Sequence, residues 1–138
     1  MQTFLLEIVT PDRLVYSEEV EQITVPSEEG QLTVLPHHTL LFANLVEGEV
    51  IIRHKGEDHF LAIGGGFVEV MKEKVLVMVS RAYHATELNE AAIVKAKEKA
   101  EQAIAAGVTG DDLHAAQALL RSTLVDLKVL KRRKRYTV

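Results

Sequence analysis

The sequence of 138 residues contains no cysteine and no tryptophan, and aromatic residues make up only 5% of it. Without cysteine there is no disulfide framework, no thiol nucleophile and no cysteine-type zinc site, which is typical of a reducing compartment. The sequence also lacks a run of about 18 apolar residues that could span a bilayer, and residues 1–9 lack the basic start of a secretory signal. We therefore expect a cytoplasmic chain that does not cross a membrane.

Proline, glycine and alanine are distributed unevenly, and their distribution divides the chain in two. All three prolines and six of the eight glycines precede residue 85, whereas eleven of the fourteen alanines lie from Ala85 onward. The first part therefore has the turn chemistry of a β-rich domain, and the second has the composition of a helical one. The sequence predicts one domain at residues 1–84 and another at residues 85–138.

Short strand patterns separated by turn residues fill the first part. Gln31–Val34 alternates between polar and apolar residues, whereas Val75–Val79 is continuously apolar, as in a strand covered on both faces. Because short connections favour antiparallel neighbours, and no helical segment separates the strands, the pattern predicts an antiparallel β-sandwich or a flattened barrel. The other strand candidates are Phe4–Val9, Val20–Val25, Val50–Arg53, His59–Ile63 and Phe67–Met71.

The second part has helical periodicity. Asn89 can cap a helix that runs to about Ala106 and ends at Gly107, and Thr109 or Asp111 can cap a second helix. The turn between them is short, so we expect an antiparallel two-helix hairpin and an α+β protein, mostly β and then α. The first helix should bury mainly alanine, which stabilises docking less than leucine does, so the hairpin could move. The expected apolar stripes are Ala92, Ala96, Ala100 and Ala103, followed by Leu113, Ala116, Leu120, Leu124 and Leu127.

No arrangement of residues in the sequence is typical of catalysis or of metal binding. The glycines at 64–66 precede a strand pattern rather than the helix that a phosphate-binding loop requires. We interpret them as a bulge or tight connection in which glycine permits unusual backbone angles. His37 and His38 are adjacent, so in an extended chain they point to opposite faces and cannot share one ion. We therefore expect a non-catalytic protein without a metal site.

Six cations occupy the last eleven positions of a chain whose formal net charge is −4. Since those positions contain no acidic residue, residues 1–127 carry a net charge of −10. Cations interact favourably with a helix C-terminus, so the cluster could be a solvated helix end, although five consecutive cations exceed what capping needs. The alternative is a tether directed at an acidic partner. The cations of this basic tail are Lys128, Lys131, Arg132, Arg133, Lys134 and Arg135.

Two segments, 29–41 (EGQLTVLPHHTLL) and 65–70 (GGFVEV), precede the expected hairpin. The first is similar to a Gly-Glu-Leu-Gly-Ile-Leu-Pro-Gly-His stretch, and the second to a Gly-Gly-Phe-(Leu/Val)-Glu-Val strand. Both belong to the ε subunit of the F-type ATP synthase. With the order of the motifs, the hairpin and the total length, the chain resembles this family over essentially its whole length.

The resemblance implies a non-catalytic rotor subunit that helps to couple ion-driven rotation to ATP synthesis. The sandwich would bind the γ subunit and rest on the c-ring, which would hold the chain peripherally at the cytoplasmic face of the membrane. The hairpin would either fold down or extend into the α/β catalytic hexamer, where the basic tail would meet an acidic loop of a β subunit and block ATP hydrolysis. The residues implied in the γ and c-ring contact are Gln31, Leu32, Pro36, His37 and His38.

The chain departs from the family pattern at several positions. Gln31 stands where the family usually has Glu, and Thr33 and His37 stand where it usually has glycine. Several members also bind ATP through an (Ile/Leu)-Asp-x-x-Arg-Ala motif on the first helix and arginines on the second. Here the Asp and the Arg of that motif are missing, so we expect ATP binding to be weak or absent, with no other cofactor. The matching positions are Leu88, Asn89, Ala92, Ile93 and Arg121.

Two functions of other classes remain as alternatives. A nucleic-acid-binding module would use the basic tail as a phosphate clamp, but the rest of the chain is acidic and only Tyr136 is nearby to stack on a base. A small enzyme with a pocket in the sandwich would need a role for His37 or His38. The sequence shows no nucleophile or metal constellation for such an enzyme.

Overall fold

A computed structural model describes residues 2–136 of the chain, with side chains for residues 2–133. The chain forms two compact units, Met1–His84 and Ala85–Val138. Among the described residues, the first unit contains ten strands, and the second contains a short 3-10 turn and two α-helices. The prediction of an α+β protein with a sandwich followed by a helical hairpin is confirmed.

Two five-stranded sheets make up the first unit. They have the orders β4-β3-β6-β7-β10 and β5-β8-β9-β1-β2, and they are joined where Ser27 of β3 pairs with Leu45 of β5. The strands are β1 (Phe4–Val9), β2 (Leu14–Val20), β3 (Gln22–Ser27), β4 (Gly30–Val34), β5 (Leu41–Leu45), β6 (Gly48–His54), β7 (Glu57–Ile63), β8 (Gly66–Val70), β9 (Lys74–Val79) and β10 (Ala82–His84).

One strand pair is parallel, so the expectation of a purely antiparallel sandwich is wrong at this point. β1 lies beside β9 in parallel register from Leu5↔Lys74 to Val9↔Met78. The two strands are separated by most of the domain, so no short turn constrains their relative direction. The Glu7 carboxylate and the Lys74 ammonium form an ion pair across this seam.

The core lies between the two sheets and is built from alternate residues of each strand. Leu6 and Ile8 of β1 and Ile23 and Val25 of β3 have no accessible surface. Burying a side chain of this size contributes about 1.5–3 kcal/mol. Other members of the core are Val20, Val34, Val50, Ile52, Leu61, Ile63, Val68 and Val77.

Strand boundaries differ from prediction at Glu21. Val20 and Ile23 are both buried although they are three positions apart, so the two-residue alternation cannot continue through this segment. β2 ends at Val20 and β3 begins at Gln22, where the predicted strand Val20–Val25 was continuous. Glu21 lies at the junction and donates its backbone N–H to the Arg53 carbonyl oxygen at 2.9 Å.

Gly64, Gly65 and Gly66 connect β7 to β8, as expected, but for a different physical reason. None of the three has a positive φ. A Cβ at Gly66 would overlap the Met78 carbonyl oxygen and lie 2.7 Å from the Val79 Cα. Glycine is therefore required here by the close approach of two backbones rather than by unusual backbone angles.

The second unit contains a 3-10 turn (Ala85–Glu87) followed by α1 (Glu90–Ala105) and α2 (Gly110–Tyr136). The Asn89 side chain caps α1 by accepting the Ala92 backbone N–H at 3.0 Å, and Gly107 follows α1 with φ 82°. Thr109 precedes α2, and its carbonyl oxygen accepts the Leu113 N–H at 3.4 Å, so α2 begins two residues earlier than a cap at Asp111 would place it. The predicted helix signals at Asn89 and Gly107 are confirmed.

The predicted apolar stripes are wrong at two positions. Ala92 is exposed, and Ile93 is buried beside it. Leu124 is 48% exposed, whereas Thr123 is only 3% exposed. Thr123 tolerates burial because its hydroxyl donates to the Leu120 carbonyl oxygen at 2.8 Å. The stripe of α2 therefore passes through Thr123, one position before the predicted leucine.

Candidate functional site

A tight turn at residues 35–38 follows β4. The His38 N–H donates to the Leu35 carbonyl oxygen at 3.2 Å, and His37 has φ 64°. Proline at the second position and positive φ at the third are the arrangement of a type II turn. The third position of such a turn favours glycine, so His37 stands in a conformation that costs an ordinary residue about 1–2 kcal/mol.

The two histidines of this turn lie in a bent rather than an extended segment, so the reason given for excluding a shared metal ion does not apply. The His38 Nδ1 lies 2.9 Å from the Thr39 carbonyl oxygen, and His37 is exposed. Among the residues that the structure describes, no group of three His, Asp or Glu side chains could hold a metal ion.

The other residues of the implied c-ring contact lie on β4 and in the turn. Gln31 is exposed opposite Pro26 of β3, whereas Leu32 packs partly against the core. Pro36 is half-buried in the turn. These residues therefore lie at two places: Gln31 is beside the turn that joins β3 to β4, and residues 35–38 follow the opposite end of β4. Gln31 and His37 are both exposed.

A second surface of the first unit is apolar and was not identified from the sequence. Val68, Val77 and Ile8 face the core, so Phe67, Met78 and Val9, which alternate with them, face outward. Phe67 pairs with Met78, Met78 with Val9, and Val9 with Leu14. We call this surface the outer apolar face, and it comprises Val9, Leu14, Phe42, Phe67 and Met78.

The outer apolar face is accessible over much of its area. Phe42 is 61% exposed, Leu14 55% and Met78 39%. The Phe42 and Phe67 rings stack with centroids 5.0 Å apart, which fixes the position of the exposed Phe42. Large exposed apolar side chains in one row are typical of a surface that another protein covers.

The basic tail does not behave as one uniform cluster. Lys128 and Lys131 are exposed, whereas Arg132 and Arg133 are partly buried. The Arg133 guanidinium donates to the Ala85 carbonyl oxygen at 2.8 Å. The side chains of Lys134 and Arg135 lie outside the described residues, so the prediction for them stays a prediction.

The positions that match the ATP motif have other roles in this chain. Asn89 caps α1, and Ile93 is buried. The Leu88 carbonyl oxygen lies 3.5 Å from the Arg133 guanidinium. Ala92 and Arg121 are both exposed, and Ala92 carries no charge.

Comparisons with known proteins agree with this architecture. Residues 3–85 match the family model described as ATP synthase, Delta/Epsilon chain, beta-sandwich domain. The ATP synthase epsilon chain of Dehalococcoides mccartyi is 36% identical over 137 residues, covering 99% of this chain and 98% of the relative. The chain belongs to the ATP synthase epsilon chain family. The epsilon chain of Herpetosiphon aurantiacus is 39% identical over 129 residues, 94% of this chain and 95% of that one.

Solved structures share the fold with this ε-family chain. A chain of the Euglena gracilis mitochondrial ATP synthase has a TM-score of 0.67 at 20% identity, covering 96% of this chain and 80% of that one. A central stalk/c-ring chain of the Tetrahymena thermophila enzyme has a TM-score of 0.63 at 18% identity, covering 94% of this chain and 97% of that one. Within the described residues, no helix has the length and apolar content to cross a bilayer.

Proposed function

We propose that this ε-family chain is a non-catalytic central-stalk subunit of a rotary F-type ATP synthase, where it helps to couple ion-driven rotation to ATP synthesis. The observation that carries the proposal is the match to ATP synthase epsilon chains over 99% of the chain. The sandwich and the hairpin both fall within that match. It supports the rotor function and gives no support to a nucleic-acid-binding module or a small enzyme.

Two surfaces of the sandwich are available for two different partners. We assign Gln31 and the turn at 35–38 to the c-ring, because both belong to the segment that resembles the ring-facing stretch of the family. We assign the outer apolar face to the γ subunit, because an interface core is apolar and depleted of charge. Both contacts would hold the chain peripherally at the cytoplasmic face of the membrane.

The basic tail is proposed to inhibit ATP hydrolysis by meeting an acidic loop of a β subunit in the α/β catalytic hexamer. An exposed ion pair contributes about 0–1 kcal/mol, and a tenfold change in population needs about 1.4 kcal/mol. A few pairs together are enough to bias a hairpin between two states. Because screening acts over about 10 Å at 0.1 M ionic strength, inhibition should weaken as salt rises.

The test uses the reconstituted complex and two matched double variants. Lys128→Gln with Lys131→Gln removes two exposed tail cations, and Lys95→Gln with Lys99→Gln removes two exposed cations from α1. We expect the tail variant to relieve inhibition of ATP hydrolysis by about fivefold, since two exposed ion pairs are lost, and the α1 variant to leave it unchanged. Equal hydrolysis rates for the tail variant and wild type, with assembly intact, would contradict the inhibitory role.

ATP is not proposed as a regulatory ligand of this chain. The Asn89 side chain already accepts the Ala92 N–H as the cap of α1. Ala92 supplies no charge for a phosphate. The folded hairpin must then be held by contacts within the protein or by the rest of the complex.

A further inference from the structure

The two helices of the second unit differ in length, and the difference determines where α2 ends. α1 has 16 residues and α2 has 27. At about 1.5 Å per residue, the extra eleven residues extend α2 by about 16 Å. In an antiparallel hairpin this part of α2 runs past the beginning of α1. It reaches the segment 85–88, where the second unit begins.

Arg133 makes the contact at this point. Its guanidinium donates to the Ala85 carbonyl oxygen at 2.8 Å and lies 3.5 Å from the Leu88 carbonyl oxygen. The Ala85 carbonyl also accepts the Leu88 N–H at 3.3 Å, so it is the acceptor that closes the 3-10 turn. A hydrogen bond from a guanidinium is about twice as strong as one between neutral groups. Arg133 therefore ties together chain segments that lie 48 positions apart.

We propose that Arg133 is a latch that holds the hairpin closed, and that this bond must break before the basic tail can reach an acidic partner. The second half of this statement rests on the proposed inhibitory function, whereas the first half concerns the isolated chain. While its Nη1 donates to the Ala85 carbonyl oxygen, the guanidinium is held beside residues 85–88 and cannot move with an extended α2 towards another subunit. Arg133, one cation of the basic tail, thus stabilises the closed hairpin, whereas the other cations of the tail act in the open state.

The composition of the hairpin makes such a latch effective. Only Ile93 and Ala100 of α1 are buried among its described residues, so α1 presents little apolar surface to hold the closed state. Val129 and Leu130 of α2 are buried four and three positions before Arg133, so the Arg133 bond acts together with an apolar contact. Glu87 and Glu90 lie beside the two acceptor carbonyls in sequence and favour a cation at this end of α2.

Neutralising Arg133 and neutralising Lys131 should therefore affect the hairpin differently, although the two side chains carry the same charge. Lys131 is exposed, so its neutralisation removes a tail charge and leaves the latch intact. Neutralising Arg133 removes a tail charge and also opens the hairpin. Arg133→Gln and Lys131→Gln form a matched pair with equal change in net charge.

The distance across the latch can be measured in the full chain. The sequence has no cysteine, so cysteines introduced at the exposed positions Thr86 and Leu124 accept spin labels at those positions alone. Double electron–electron resonance then reports the fractions of closed and open hairpin. We expect Arg133→Gln to raise the ratio of open to closed about tenfold, as loss of a charged hydrogen bond predicts, and Lys131→Gln to leave it unchanged.

Equal open fractions in Arg133→Gln and wild type would overturn the latch. Circular dichroism checks that the helices persist, and Arg133→Met, of similar length and without a donor, repeats the test if the glutamine variant loses helical signal.

In the reconstituted complex, Arg133→Gln should retain more inhibition than Lys131→Gln. If neither variant changes hydrolysis while Arg133→Gln still opens the hairpin, the inhibitory function fails and the latch stands. If Lys131→Gln relieves inhibition and no variant opens the hairpin, the latch alone fails.

Discussion

His37 occupies a backbone conformation that glycine adopts without strain. Its φ is 64°, and it stands where the ε family usually has glycine. We predict that His37→Gly raises the free energy of unfolding by about 1 kcal/mol, because the relief of left-handed strain exceeds the entropy that glycine adds to the unfolded chain. Urea denaturation, followed for the first unit by the fluorescence of its tyrosines, measures the change.

The control for this prediction is the neighbouring residue. His38 has a negative φ and its Nδ1 lies 2.9 Å from the Thr39 carbonyl oxygen. His38→Gly should therefore lower stability or leave it unchanged. A stabilisation of similar size in both variants would show that the turn conformation is not the cause.

Tyr16 links the stability of the first unit to alkaline pH. Burial, with a smaller contribution from Glu18, raises the pKa of Tyr16 to about 12. Its hydroxyl has no hydrogen-bond partner among the described residues. Between the ordinary pKa near 10 and the raised value, the folded chain holds a proton that the unfolded chain has lost. The contribution of the Tyr16 proton to the free energy of unfolding is therefore fully present below pH 10 and is lost as the pH rises through about 12.

Tyr16→Phe tests this dependence. The variant cannot ionise at position 16, so we predict that its stability falls less steeply than wild type between pH 10 and 12. At pH 7 it should be as stable as wild type or slightly more so, because an unpartnered hydroxyl is removed from a partly buried site. Thermal denaturation across this pH range gives both slopes. Equal slopes of stability against pH in the two proteins would show that ionisation of Tyr16 does not cause the loss of stability at alkaline pH.

At the scale of the elements, strands with a buried face could be predicted and most edge strands could not. β1, β6, β7, β8 and β9 carry regular apolar patterns, and the sequence places each of them within about two residues. β2, β5 and β10 were missed, and all three lie at the border of a sheet. An edge strand needs no continuous apolar face: β2 contains Ser17, Glu18 and Glu19 in succession, all exposed.

The candidate surfaces were predicted unevenly for the same reason. The segment 31–38 follows from sequence motifs, whereas the outer apolar face depends on the register of five strands. Phe42 lies on the missed strand β5, so its alternation with the inward-facing Leu41 and Ala43 was not recognised. The contact of Arg133 with Ala85 depends on the relative lengths of α1 and α2, and it could not be predicted from the distribution of charges in the sequence.

The outer apolar face gives a prediction at this scale. Phe42→Ser together with Met78→Ser should weaken binding to the γ subunit by about tenfold or more, because large apolar side chains dominate such interfaces. Both residues are exposed, so the fold should be retained. Binding of the purified chain to a γ-containing complex, measured by surface plasmon resonance, reports the effect.

A matched control lies on the second unit. Leu119 is 36% exposed and apolar, and it lies outside the outer apolar face. Leu119→Ser should leave γ affinity unchanged. Equal loss of γ affinity in Leu119→Ser and in the double variant would contradict the assignment of the outer apolar face to the γ subunit. No loss in the double variant would contradict it as well.

For the whole molecule, the regulatory question is whether a nucleotide influences the hairpin. Calorimetry of the full chain with ATP should show no binding at micromolar concentrations, because the motif lacks its Asp and Arg. Asn89→Asp with Ala92→Arg restores both side chains. Aspartate can still cap α1 and position 92 is exposed, so this variant should fold and bind ATP more tightly than wild type. Micromolar binding by the unaltered chain would overturn the prediction.

The parallel pairing of β1 with β9 also determines the order in which the chain can fold during synthesis. β1 leaves the ribosome before the other nine described strands, and its partner β2 becomes available once Val20 has emerged. Its other edge stays open until residues 74–78 are made. The central seam of one sheet is thus completed by strands from opposite ends of the domain, and this non-local closure is slow compared with helix formation. A nascent chain shorter than about eighty residues exposes that edge, so protection by chaperones matters most over this interval.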